Sequence, residues 1–141
     1  MSEEINIKFI RDADYLGYHI FGTLTNGQTI YIGFKDSEYY NCVGYFVIAA
    51  IANKKKHIRN WLNGEMNPIE LKGTGKCGLE GLFWAKRMIK EFEIFIKEKH
   101  PNELVKIEVF WADQRRFRVY KRGLPDYAYN QSRKCLYKKL A

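Results

Sequence analysis

The residues best suited to chemistry in this chain are Leu71-Lys72-Gly73-Thr74-Gly75-Lys76-Cys77-Gly78-Leu79-Glu80-Gly81, where closely spaced glycines run into an amphipathic helical pattern. Glycine permits φ > 0 and lets the backbone approach a ligand, and the first-turn N–H groups of a helix have no partner inside it. Together these features make an anion cradle whose usual guest is a phosphate. Lys72 and Lys76 add formal positive charge to the backbone dipoles, so the candidate diphosphate-binding residues are Lys72, Gly73, Gly75, Lys76, Cys77 and Gly78. The pattern does not continue into a nucleoside-triphosphate loop, because Cys77-Gly78 stands where a magnesium-holding Ser or Thr is required. A loop of this composition can also do no more than turn the chain into its helix, and the residues alone leave both readings open.

Other chemistry is sparse. His19, His57 and His100 form no readable constellation with a Ser or Cys nucleophile. Cys42, Cys77 and Cys135 are odd in number and widely spaced, without a C-x-x-C pair or a His to complete a zinc site, which points to a reduced, intracellular protein without a metal. Cys77 at a helix start is either an activated thiol or a small residue fitted to a tight loop. The acidic start Met1-Ser2-Glu3-Glu4 leads into no apolar signal region, and no apolar run is long enough to span a bilayer, so no membrane role is expected.

The 141 residues suffice for one domain, 1–141, and with 46% hydrophobic and 16% aromatic residues its core should be rich in rings. A net charge of +8 favours an acidic partner. The charge gathers at Lys54 to Arg59, at Arg115 to Arg122, and at Arg133-Lys134 with Lys138-Lys139. Each cluster can be a solvated face, and no nucleic-acid fingerprint accompanies them, which leaves DNA or RNA a minor partner hypothesis.

The elements that must position the loop read as strands, glycine turn, long helix, strand and short helix. Ile5, Ile7 and Phe9 alternate as a first strand, and Arg11-Asp12-Ala13-Asp14 turns the chain. Tyr18 to Leu24 and Thr29 to Phe34 are β-prone runs joined through Asn26-Gly27, which predicts a hairpin with a two-residue type I′ turn. Val43 to Ile48 has the composition of a buried strand, and His57 to Leu62 is more helical. From Gly78 to about Lys99, Leu82, Ala85, Ile89, Phe92 and Ile96 share one stripe while Lys86, Lys90, Glu93 and Lys97 lie elsewhere, so the stripe should rest on a sheet. His100-Pro101 ends that helix. Leu104 to Trp111 follows as a strand, and Asp113 can cap a last helix carrying Phe117, Tyr120 and Leu124. The order predicts an α/β or α+β domain with a covered sheet face.

That order, with these residues, resembles the GCN5-related N-acetyltransferase family, which has the acyl-CoA N-acyltransferase fold: a mixed, mostly antiparallel sheet with a long helix after a glycine-rich loop. Lys72 to Cys77 fills the place of the family's (Arg/Gln)-x-x-Gly-x-(Gly/Ala) loop, with Lys72 for Arg or Gln and Cys77 for the small final residue. Further on, Asp113 stands where the family has Asn, Tyr120 lands on its tyrosine, and Gly123-Leu124 on its Gly-Phe. The resemblance covers Ile69 to about Tyr129, and a two-helix insertion after the first strand is not evident. It implies acetyl-CoA as cofactor, an amine as acceptor, Glu70 as base with Glu65 as a poorer choice, and Tyr120 as acid for the departing thiolate. Glu70 can equally be a solvated residue, and Tyr120 a core residue with its hydroxyl at the edge.

Two functions from different classes follow. One is an acetyl-CoA-dependent N-acetyltransferase in the host-cell cytoplasm. The other is a non-catalytic protein of this fold, such as a head–tail connector, ring or tail component of a bacteriophage particle located in the virion, or a phage-encoded binding or inhibitor protein. The departures in the loop, and a small basic chain rich in Lys, Ile, Tyr and Asn, point to the second. On that reading the segment Tyr127 to Leu140, with its aromatic and basic residues, docks on other protein chains.

Overall fold

The structure is a computed structural model that describes residues 8–12, 17–39, 42–63, 80–110 and 121–141. Its strands are β1 (Ile10–Asp12), β2 (Gly17–Thr23), β3 (Thr29–Tyr39), β4 (Cys42–Ala52), β5 (Val105–Val109), β6 (Ala128–Asn130) and β7 (Cys135–Leu140). They form one seven-stranded sheet in the order β1-β2-β3-β4-β5-β7-β6. Among the described residues two helices accompany it, α1 (Lys55–Leu62) and α2 (Glu80–Lys99), and both lie between β4 and β5 in the chain. Neighbouring strands pair antiparallel except β4 and β5, which run parallel as a helical crossover between them allows. The fold is therefore α+β, with a mixed and mostly antiparallel sheet.

The stripe on α2 is the reason the sheet is buried. Ala85, Met88, Ile89, Phe92 and Ile96 are buried against Ile32, Phe34, Tyr45, Val47, Val105, Ile107, Val109 and Leu136. Phe92 sits at the centre, its ring stacked on Phe34 at 3.8 Å and met edge-on by Phe9 and Tyr45. Burial of such a ring contributes about 1.5–3 kcal/mol. On the opposite face α1 presses Ile58 onto Tyr31, Ala50 and Ala52, with Trp61 and Leu62 packed alongside. The exposed Lys54, Lys55, Lys56 and Arg59 form the outer side of that helix, and Lys55 lies 4.4 Å from the Phe21 ring centre. This basic cluster is thus the solvated face of an amphipathic helix.

Several expectations hold and several are corrected. The hairpin β2–β3 forms, but its turn is a three-residue loop: Leu24 N–H bonds Gln28 O at 2.8 Å, Gly27 N–H bonds Leu24 O at 2.9 Å, and only Gly27 has positive φ, at +87°. Asn26 instead accepts the Gln28 N–H on its side-chain oxygen, which needs no left-handed backbone. Arg11 and Asp12, placed in a turn by the sequence, belong to β1 and pair with β2, while residues 5 to 7 lie outside the described residues. β4 continues past Ile48 to Ala52 because β3 pairs with it along its whole length. Glu93, assigned with the surface charges of the long helix, is buried, since Tyr127 and Lys138 reach it from the C-terminal segment. The C-terminal segment belongs to the same sheet. Residues 128–130 and 135–140 are β6 and β7, and β7 pairs with β5 from Val105 to Val109.

Candidate functional site

The parallel pair at the middle of the sheet does not run out evenly. β4 and β5 are in register from Val43 beside Val105 to Val47 beside Val109, after which β5 ends and β4 continues through Ile48–Ala52. On its other side this extension stays paired with β3 up to Ala52 beside Thr29. Toward β5, no strand among the described residues pairs with it. A strand edge inside a sheet carries backbone donors and acceptors that need partners, and an extended ligand can supply them. The notch lies at the carboxyl ends of the two parallel strands.

The start of α2 is held at the same end. The β2–β3 turn reaches across to it: Thr25 N–H donates to Glu80 Oε1 at 2.7 Å and Thr25 Oγ1 to Glu80 Oε2 at 2.5 Å, which lowers the Glu80 pKa. Gly22 makes room for the next residues, because a Cβ there would sit 2.7 Å from Cζ2 of Trp84. Positive charge gathers beside these turns. Gly123 lies against Lys86, a Cβ at Gly123 being 3.8 Å from the Lys86 Cδ, so the Lys121–Gly123 helical turn, with its exposed Lys121 and Arg122, comes up to the exposed Lys86.

The opposite face of β5 carries a second polar group. Glu108 is fully buried, and Arg133 donates to it from Nε at 2.5 Å and Nη2 at 2.9 Å. Burial and the Cys135 Sγ–H bond to Glu108 at 3.3 Å push the Cys135 thiol up to about 11, which keeps it protonated and unreactive. The turn between β6 and β7 sets Arg133 in place through Asn130, whose Oδ1 accepts from Ser132 and from the Arg133 N–H. Beside this group Phe110 leaves the end of β5 with its ring 6.4 Å from that of Phe46.

The residues singled out from the sequence, Glu70, Lys72, Gly73, Gly75, Lys76, Cys77, Gly78, Asp113 and Tyr120, all lie outside the described residues, as does Glu65. The described chain brackets them: Asn63 and Glu80 flank the glycine loop, and Phe110 and Lys121 flank Asp113 and Tyr120. What sequence reasoning missed is the notch along Ile48–Ala52 and the buried acids Glu93 and Glu108. The only sequence signal for these acids was a charge within an otherwise apolar run, as in Ile107-Glu108-Val109. Among the described residues no cluster of His, Cys, Asp or Glu could hold a metal ion, and no helix is long and apolar enough to cross a membrane. No protein-family model matches the chain, and no curated protein or solved structure matches it either.

Proposed function

We propose that the chain is an acyl-CoA-dependent N-acyltransferase of the GCN5-related kind, transferring an acyl group to an amine. The observation that carries this reading is that β4 outruns β5, with no strand among the described residues on that edge, at the same end of the sheet as the described start of α2. Support comes also from the mixed, mostly antiparallel sheet and the long helix after the glycine-rich segment, which the family resemblance implies.

On this reading the β4 edge at Ile48–Ala52 would pair with the amide-bearing arm of CoA, and Lys72, Gly73, Gly75, Lys76, Cys77 and Gly78, with Lys86 nearby, would hold its phosphates. When bound, CoA supplies an acyl group activated as a thioester. Glu70 would take a proton from the incoming ammonium so that its nitrogen can bond the acyl carbon as the C–S bond breaks, and the Tyr120 hydroxyl would give a proton to the departing sulfur. Asp113, which stands where the family has Asn, would be a further cofactor-binding residue.

A second reading has its own observation. Residues 53–79, including α1, stand between β4 and α2, and β1 connects to β2 through residues 13–16 alone, too few for a two-helix insertion. Both depart from the family pattern and favour a non-catalytic binding or structural subunit. Calorimetric titration with acetyl-CoA decides between the two. The enzyme reading expects saturable binding that Gly75→Val abolishes, and turnover lowered roughly 10²–10⁴-fold in Tyr120→Phe with binding kept. Absence of binding to the wild type would sink it and leave the non-catalytic subunit; binding untouched by Gly75→Val would move the phosphates off the loop.

A further inference from the structure

The outer side of α2 holds two large apolar residues that the fold does not cover. Phe83 is 66% exposed and Ile94 60%, the highest values among the exposed large hydrophobics of the described residues. They are three helical turns apart, about 16 Å at 1.5 Å per residue, and so share one side of the helix. That side is opposite the stripe of Ala85, Ile89, Phe92 and Ile96 that rests on the sheet. Arg87 and Glu91 lie between them on one flank, Arg87 exposed and Glu91 partly so.

We propose that this surface is the interface of a two-fold symmetric homodimer, in which α2 packs antiparallel on α2 of a second copy. The occupant is argued from self-complementarity. An axis crossing α2 between Met88 and Ile89 sends Phe83 onto Ile94 of the second copy and Ile94 onto its Phe83. Within a fraction of a residue the same axis sends Arg87 onto Glu91. In an antiparallel helix pair the same flank of each helix faces its copy, so Arg87 and Glu91 meet across the seam, twice by symmetry. An isologous contact requires this: one patch must satisfy itself under a single rotation, in its apolar and its charged members together. On the other flank Lys86 of one copy faces the region of Lys90 in the other, where Lys90 is already paired with Asp126 at 2.5 Å. The pairing leaves the β4 edge uncovered, since that edge lies in the sheet and the dimer uses the far side of the helix.

Sedimentation velocity on the full chain tests this, with far-UV circular dichroism as the control on folding. The wild type is expected to sediment as a dimer, and Phe83→Glu and Ile94→Glu each as a folded monomer. Arg87→Glu and Glu91→Arg should each weaken dimerisation about tenfold by setting like charges opposite one another twice, and the double reversal Arg87→Glu/Glu91→Arg should restore it. Because the charge variants are on the surface, they answer even if Phe83→Glu fails to fold. A monomeric wild type, a dimer that persists in both apolar variants, or a double reversal no better than the single ones would overturn the proposal; capture of a different protein by a monomeric wild type counts against it in the same way.

Discussion

Asp126 shows how single residues tie α2 to the C-terminal strands. Its carboxylate accepts bonds from Lys90 and Lys138, and the same lysines reach Glu93 at 3.3 and 2.9 Å, while the Tyr127 hydroxyl donates to Glu93 at 2.8 Å. Burial disfavours the charged Asp126, yet the bonds from Lys138 and Lys90 outweigh it and bring its pKa down to about 2. A carboxyl depressed on folding stabilises the native state above its unfolded value of about 3.9, and that stabilisation is lost as pH falls toward the native value. The urea midpoint of the wild type is therefore expected to drop between about pH 4 and pH 2 more steeply than that of Asp126→Asn. Identical profiles would show that the Asp126 pairs do not act in the native state in solution. None of this was legible beforehand, because the spacing of Glu93 on its helix places it among the solvated charges until Lys138 and Tyr127 arrive from elsewhere in the chain.

At the scale of elements, the contact between the β2–β3 hairpin and α2 sets one wall of the candidate site. Gly22 is where it is closest, with the Trp84 indole lying against the backbone. Adding one methyl there forces the indole or the strand aside, and such overpacking costs about 1–3 kcal/mol. Gly22→Ala is thus expected to lower the urea midpoint by that amount and, on the acyltransferase reading, to weaken acetyl-CoA binding by shifting the start of α2. Stability and binding equal to wild type would mean that the contact positions nothing. The hairpin itself was readable from β-prone runs around Asn26-Gly27, and α2 from its apolar stripe. The loop type was not, since the Asn26 side chain bonds to Gln28 and leaves only Gly27 in the left-handed region.

For the whole molecule the C-terminal hairpin is a structural keystone. β7 pairs along the full length of β5, buries Cys135 and Leu136, and carries Lys138, while the turn before it carries Arg133. Truncation after Leu124 strands Glu93 and Glu108 as buried acids without these partners, and loss of one partner of a buried pair typically costs about 3–5 kcal/mol. The truncated chain is expected to be unfolded or aggregated, read as loss of a cooperative thermal transition. A truncated protein that still melts cooperatively near the wild-type temperature would show that folding does not need this segment and would favour its role in assembly.

What the sequence determined by itself is local. Helix α2, its end before Pro101, the β2–β3 hairpin, the strand at β5 and a domain that mixes helix and strand all follow from periodicity and turn chemistry, which act over a few residues and are written along the chain. The tertiary structure decided what depends on partners far apart in sequence. It set the parallel register of β4 and β5 and the five-residue overhang Ile48–Ala52 beyond it, the burial of Glu93 and Glu108, and the insertion of β7 between β5 and β6. A strand's side-chain alternation records which faces are buried but not which strand lies beside it or where the pairing stops. Those are fixed by the packing of α2 across the sheet and by the lysine and arginine that the C-terminal hairpin brings to the buried acids.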